Sequence, residues 1–188
     1  MNLENVSLDN VEKYKPDILT DILKWDYKKK FKHYVPDLIW ASPPCNTYSP
    51  LAYPLKERNT KTAEPYSERA KLGTKILYKT LQIINYARKL NPNIIFVIEN
   101  PRGMMQHDSK IKKLNNSLAT YCSYGDVKYK PTKKFNNIPD NLELLNHKCK
   151  NTVGVCDLKT LEQRYSIPSK LIKSILEQMI HVYMNTNE

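Results

Sequence analysis

Two short segments of this 188-residue chain carry side chains that could do chemistry. The first is Ala41-Ser42-Pro43-Pro44-Cys45, which follows the apolar run Leu38-Ile39-Trp40. The second is Glu99-Asn100-Pro101, which follows Ile94-Ile95-Phe96-Val97-Ile98. Each apolar run reads as a buried strand. One strand then delivers a thiol behind two prolines, and the other delivers a carboxyl beside an amide. Open α/β sheets bind ligands at their carboxyl edge, and a nucleophile and an acid brought together there point to covalent chemistry on a polar, planar substrate. A strand-end cysteine is also at home as a small buried apolar residue, and Glu99-Asn100-Pro101 can be read as a plain turn. Pro43-Pro44 weighs against the first of these, because paired prolines stiffen a loop and add nothing to core packing.

The elements that must position these groups can be read along the chain. Residues 6–8 form a short strand candidate ending at Asp9, and residues 18–22 a second one closing near Asp21. Residues 25–34 are basic and aromatic, a helix or loop returning to the sheet, and Pro36 precedes the strand over 38–42. Residues 46–69 are polar and hold Pro50, Pro54 and Pro65, which predicts a long loop of the kind that is functional or disordered. Residues 71–90 carry the clearest helical period, in Leu77, Leu81, Ile84 and Arg88, and Asn91-Pro92-Asn93 stops it. The strand over 94–98 follows at once, as in a parallel helix-to-strand unit. A basic helix is expected over 109–118, strands over 119–124 and 133–137, and an irregular stretch over 140–157. An amphipathic helix over 164–183 has Ile167-Pro168 at its entrance, where proline fits the first turn.

The length suits one domain, 1–188, with a real core. The balance of 30 basic against 19 acidic residues gives +11, which favours a polyanionic partner, nucleic acid first. Scattered lysine, 25 of the 30, can equally be solvated surface. The opening Met1-Asn2-Leu3-Glu4 starts no apolar leader, and no run is long enough to span a bilayer. Cys45, Cys122, Cys149 and Cys156 are therefore expected as reduced thiols in a cytosol-like compartment. His147, Cys149, Cys156 and Cys122 could be drawn together as metal ligands, but their spacing fits no common zinc pattern, and no metal is expected.

Four segments together resemble the DNA cytosine-5 methyltransferases, most of all the short phage and viral type. Ser42-Pro43-Pro44-Cys45 with Asn46-Thr47-Tyr48-Ser49 resembles the proline-cysteine motif, and Glu99-Asn100-Pro101-Arg102-Gly103 the glutamate-asparagine motif. Tyr121-Cys122-Ser123-Tyr124-Gly125, with Lys128 and Lys130-Pro131-Thr132, resembles the segment bearing the family's basic residues. Arg164-Tyr165-Ser166-Ile167-Pro168 resembles the closing motif. The resemblance implies a Rossmann-like methyltransferase fold of class α/β with a mostly parallel sheet. It also implies S-adenosylmethionine as cofactor, DNA as partner, and a cytoplasmic setting, in a host cell or virion if viral. It assigns Cys45 as the nucleophile that adds to cytosine carbon 6. A pKa lowered by nearby basic side chains would supply the thiolate. Glu99, as a protonated carboxyl, would donate to ring nitrogen 3, Asn100 would fix the loop, and Lys128 or Lys130 would steady the base or a phosphate. Ser42 and Pro43 would floor the cofactor and base. The target cytosine must be flipped out of the duplex. An adenine amino-methyltransferase would also place two prolines after a strand, but with an aromatic residue where Cys45 stands.

The chain departs from the family in two places. The strand over 6–8 resembles the family's second strand, with Asp9 for the ribose hydroxyls and Asp21 near the adenine amine. The first strand and its glycine-rich turn have no counterpart, since the first glycine is Gly73. The expectations that follow are a catalytically inactive nucleic-acid-binding or structural descendant, half of a split enzyme, or a sequence that starts late. An unpaired sheet edge should then be met by a protein partner or a second copy. The target-recognition region is reduced to a small irregular insertion over 138–163, so sequence specificity should be short or absent.

Overall fold

The computed structural model describes residues 4–186, so the opening Met1-Asn2-Leu3 lies outside them. In chain order they form β1 (Leu8–Asp9), β2 (Ile18–Leu19), α1 (Tyr27–Lys30), β3 (Leu38–Ala41), α2 (Glu68–Leu90) and β4 (Ile95–Pro101). There follow β5 (Asn115–Thr120), β6 (Pro131–Asn136), α3 (Leu161–Tyr165) and α4 (Ser169–Thr186), with short 3₁₀ turns between.

Strand β4 organises the molecule. Its residues 95–100 are all buried, and their alternation feeds two layers. Phe96 and Ile98 pack with Leu77, Leu81 and Ile84 of α2. Ile95 and Val97 pack with Leu171, Ile175 and Met179 of α4. Helix α2 starts where the Ser67 side chain accepts from Ala70 N, and its last turn closes with Asn91 N donating to Ala87 O just before Pro92. The C-terminal region is two helices instead of one. Thr160 and Gln163 cap α3 reciprocally, and the chain breaks at Ser166-Ile167-Pro168 because Pro168 disfavours helix at Ile167.

The class is mixed α/β, but the sheet is not mostly parallel. A four-stranded sheet runs in the order β3-β4-β6-β5, and β1-β2 form a separate two-stranded sheet. β1 pairs with β2, and β3 with β4, in parallel; β4–β6 and β5–β6 are antiparallel. The reason is the tight return after β5. A 3₁₀ turn over Tyr121–Tyr124 closes on Gly125 at φ 87°, and so short a connection can only give antiparallel strands. Residues 121–124, expected as strand, are that turn. The helix expected over 109–118 does not form: Asp108 Oδ1 accepts from Lys110 N at 2.9 Å, and Asn115-Asn116-Ser117, poor helix formers, pair with β6 instead. Among the described residues β1 pairs only with β2 and β3 only with β4, leaving one edge of each open. No helix among them is long and apolar enough to cross a membrane.

Candidate active site

The parallel register Ala41↔Ile98 brings the carboxyl ends of β3 and β4 side by side. Pro43 and Pro44 lack N–H groups and hold the chain extended past the strand tip, and Asn100 Nδ2 donates to Pro43 O at 3.0 Å, tying the two tips together. Cys45 follows, half-buried and free, and its carbonyl accepts from Tyr48 N and Ser49 N, both at 2.9 Å. The loop beyond is ordered, not loose. Buried Arg58 donates from Nε to Thr47 Oγ1 at 3.0 Å and from Nη1 to Ala63 O and Thr74 Oγ1 at 3.0 and 2.8 Å. Its Nη2 donates to Ala70 O at 2.5 Å, and its guanidinium lies 3.6 Å from the centre of the Tyr48 ring. Gly103 completes the clamp: Met104 N donates to Tyr48 O at 2.7 Å, and a Cβ on Gly103 would collide with that same carbonyl.

Glu99 lies on the α4-facing side of β4, buried but with its end reaching the surface (7% of the side chain). Tyr121 OH donates to Glu99 Oε1 at 2.9 Å. Burial, and then the Glu99 charge, push the Tyr121 hydroxyl far above its usual range. Three lysine ammonium groups surround the Tyr121 ring, Lys128, Lys130 and Lys134, at 5.5, 5.0 and 5.6 Å from its centre. Cys45, Glu99, Lys130 and Tyr121 share one electrostatic neighbourhood. Burial pushes the Cys45 thiol up, Lys130 opposes this and Glu99 adds to it. Burial likewise lowers Lys130, while Glu99 and Cys45 favour its charge. The thiol is thus not held below its ordinary value, as basic neighbours suggested; desolvation outweighs the one lysine that faces it.

The two expected lysines part company. Lys128 Nζ donates to Gln163 O, Ser166 O and Ser166 Oγ at 2.6, 2.8 and 2.7 Å, and lies 3.2 Å from Asp126 Oδ2. Its three donors are taken, and it anchors the α3–α4 junction. Lys130 Nζ spends one donor on Arg164 O at 3.0 Å and keeps two. Ser42 is exposed, and its Oγ accepts from Trp40 Nε1 at 3.0 Å. Asp9 and Asp21 stand at the carboxyl ends of β1 and β2. Each uses Oδ1 on its own turn, to Val11 N at 2.8 Å and Leu23 N at 2.9 Å, and neither is hydrogen-bonded or ion-paired to the Cys45 cluster. The sequence places Tyr121 in a motif without giving it a contact, and gives Lys134 no role at all. Lys134 sits in a basic run that reads as solvated, and only its alternation with Thr132 and Asn136 on a central strand could have shown it to be buried.

The cysteines also depart from expectation. Cys122 and Cys149 form a disulfide, with Cα atoms 6.0 Å apart, inside the range such a bond needs. It fastens the 138–163 segment to the turn that carries Tyr121. No group of three or more His, Cys, Asp or Glu side chains among the described residues is arranged to hold a metal ion.

No protein-family model matches the sequence. The chain is 34% identical over 116 residues to a probable DNA (cytosine-5)-methyltransferase of Frog virus 3 (isolate Goorha), covering 61% of this chain and 51% of the relative. It therefore spans about half the length of the curated relative it matches. The resemblance carried by four motifs to the viral type of DNA (cytosine-5) methyltransferase is thus joined by sequence similarity to one protein named as a probable member of that type.

Proposed function

We propose that this chain is a DNA (cytosine-5) methyltransferase-like protein whose residues build the cytosine-activating half of the reaction. The observation that carries the reading is the meeting of Cys45, Glu99 and Lys130 at two adjacent strand tips tied by Asn100. With a flipped cytosine seated there, the Cys45 thiolate adds to C6 and the S–C6 bond forms. The C5=C6 electrons move into the ring, and a protonated Glu99 donates to nitrogen 3 as charge gathers there. C5 is then nucleophilic. Lys130 favours the thiolate and keeps donors for the base or a neighbouring phosphate. The net charge of +11 and the exposed Lys28, Lys29, Lys30 and Lys32 around α1 suit DNA as the partner.

The residues present fit one end of S-adenosylmethionine. Asp9 and Asp21 each keep Oδ2 for the nucleoside end, the ribose hydroxyls and the adenine amine. The first 72 residues hold no glycine, so these residues do not form the tight turn that the methionine end needs. We read the two sheets as parts of one Rossmann-like sheet with a strand's place between the open edges of β1 and β3. A protein partner or a second copy would fill that place.

A second reading, a nucleic-acid-binding or structural protein that keeps this fold without turnover, is favoured by the burial that holds the Cys45 thiol up. Addition at C6 makes the C5 hydrogen exchangeable with water without any methyl donor, and this separates the two. Duplex DNA tritiated at cytosine C5 should release label into water. Cys45→Ala should abolish release, and Glu99→Gln should lower it about 10²-fold or more. DNA binding with no release would establish the second reading.

A further inference from the structure

Lys134 has no place in that mechanism, and its surroundings are unusual. It is fully buried, and its Nζ has no hydrogen-bond partner. It is the cross-strand register partner of Glu99, so the two side chains share a face, and Nζ lies 4.0 Å from Glu99 Oε1. An ammonium group buried without hydrogen bonds is costly, and what this one faces is the Tyr121 ring, 5.6 Å from its centre, and the Glu99 carboxyl. Being sealed from solvent, Lys134 cannot touch a ligand. What it can reach is the carboxyl in front of it.

We propose that Lys134 is a positioning residue that shares one proton with Glu99, passing it to the carboxyl when a base is seated and taking it back when the base leaves. The inference rests on reading Glu99 as the group that meets the cytosine ring, and it supplies what that reading lacks, a source for the carboxyl proton. With the site open, Lys134 holds the proton as ammonium and Glu99 is a carboxylate. A seated base excludes water, and a desolvated ion pair loses ground to its neutral form. The pair first closes from 4.0 Å to hydrogen-bond distance; one Lys134 N–H bond then breaks and one Glu99 O–H bond forms, with no change in net charge. A half-turn of the carboxyl presents the proton to nitrogen 3, and Tyr121 OH transfers its hydrogen bond to the other oxygen. The groups facing Lys134 suit this role. Burial lowers its pKa to about 8, Glu99 opposes that shift, and Lys130 adds to it. Tyr121, the remaining titratable neighbour, stays protonated.

Two measurements test it. The first needs no activity: ¹³C-lysine NMR of the whole chain, with the Lys134 signal assigned by its loss in Lys134→Met. The signal should titrate at about 8 and move to lower pH in Glu99→Gln. Titration in the ordinary lysine range, or a midpoint indifferent to Glu99→Gln, overturns the proposal. The second is C5 hydrogen exchange. Lys134→Met removes the proton, and Lys134→Arg keeps the charge but cannot release a proton. Both should slow exchange by at least about tenfold, with DNA affinity unchanged. A Lys134→Arg chain as fast as the wild type overturns proton transfer. A wild-type chain with coupled titration but no exchange supports the shared proton and removes the cytosine reading.

Discussion

Arg58 offers the sharpest test of how the nucleophile is held. It is 2% exposed, donates to Thr47, Ala63, Thr74 and Ala70, and stacks on Tyr48. Thr47 and Tyr48 are the second and third residues beyond Cys45. Arg58→Met keeps most of the apolar stem but removes every donor, leaving the Ala63 carbonyl and the Thr47 hydroxyl oxygen buried and unpaired at about 1–3 kcal/mol each, while Ala70 O keeps the Thr74 hydroxyl. The contact with the ring adds about 0.5–2 kcal/mol. Relief from guanidinium desolvation, which lowers the Arg58 pKa, offsets part of this. The net loss should be about 3–5 kcal/mol, a large share of the stability of an ordinary domain. Arg58→Lys keeps the charge without the planar fork and should lose roughly half as much. Urea unfolding followed by tryptophan fluorescence reads both. C5 exchange in the folded fraction should fall as well, since the loop behind Cys45 loosens. A loss under about 1 kcal/mol, with exchange unchanged, would refute the claim that Arg58 organises this loop.

Gly103→Ala drives a methyl group into the Tyr48 carbonyl. It should cost about 2 kcal/mol or more and reduce exchange, whereas Gly154→Ala, at a half-buried position where the methyl crowds the Asp157 carboxylate and Cys156 of its own turn, should leave exchange intact. Reducing the Cys122–Cys149 disulfide frees a loop of sequence separation 27, and the chain-entropy relation sets the loss at about 3.5 kcal/mol; denaturation with and without reductant measures it. Lys134 makes a pH-dependent contribution whose sign is fixed. Its folded pKa of about 8 lies below the ordinary 10.5, so between these values the unfolded chain binds more protons and stability rises with pH. The burial penalty is fully present below about 8 and is relieved by 10.5, a rise of about 3 kcal/mol. Lys134→Met should lack that rise, and parallel stability curves for the two proteins would contradict it.

The parts of the site that were legible in sequence are those set by local pattern. The apolar run before Ser42 ends where β3 ends, and the run before Glu99 marks β4, which continues through Glu99 and Asn100 to Pro101 by pairing with β6; four or five apolar residues between breakers have no other use in a sheet. The period of Leu77, Leu81 and Ile84 found α2 for a similar reason. What was not legible depends on pairing between distant segments. Lys133-Lys134 looks like solvated surface until β6 is placed between β4 and β5. The strand over Asn115-Asn116-Ser117 exists only because β6 pairs with it. The engagement of Lys128 is settled by the α3–α4 junction, about 35 residues away. The thiol's direction of shift turns on burial, which spacing does not report.

The central claim is that Cys45 meets a cytosine ring beside Glu99. A duplex with 2-pyrimidinone in place of one cytosine, more electrophilic at C6 for want of the amino group, retains an adding thiolate without any methyl donor. Peptide mapping by mass spectrometry should find the adduct on Cys45, and Cys45→Ser should abolish it. An adduct on Cys156, the exposed free cysteine, or no adduct from a chain that binds the duplex, would contradict the account.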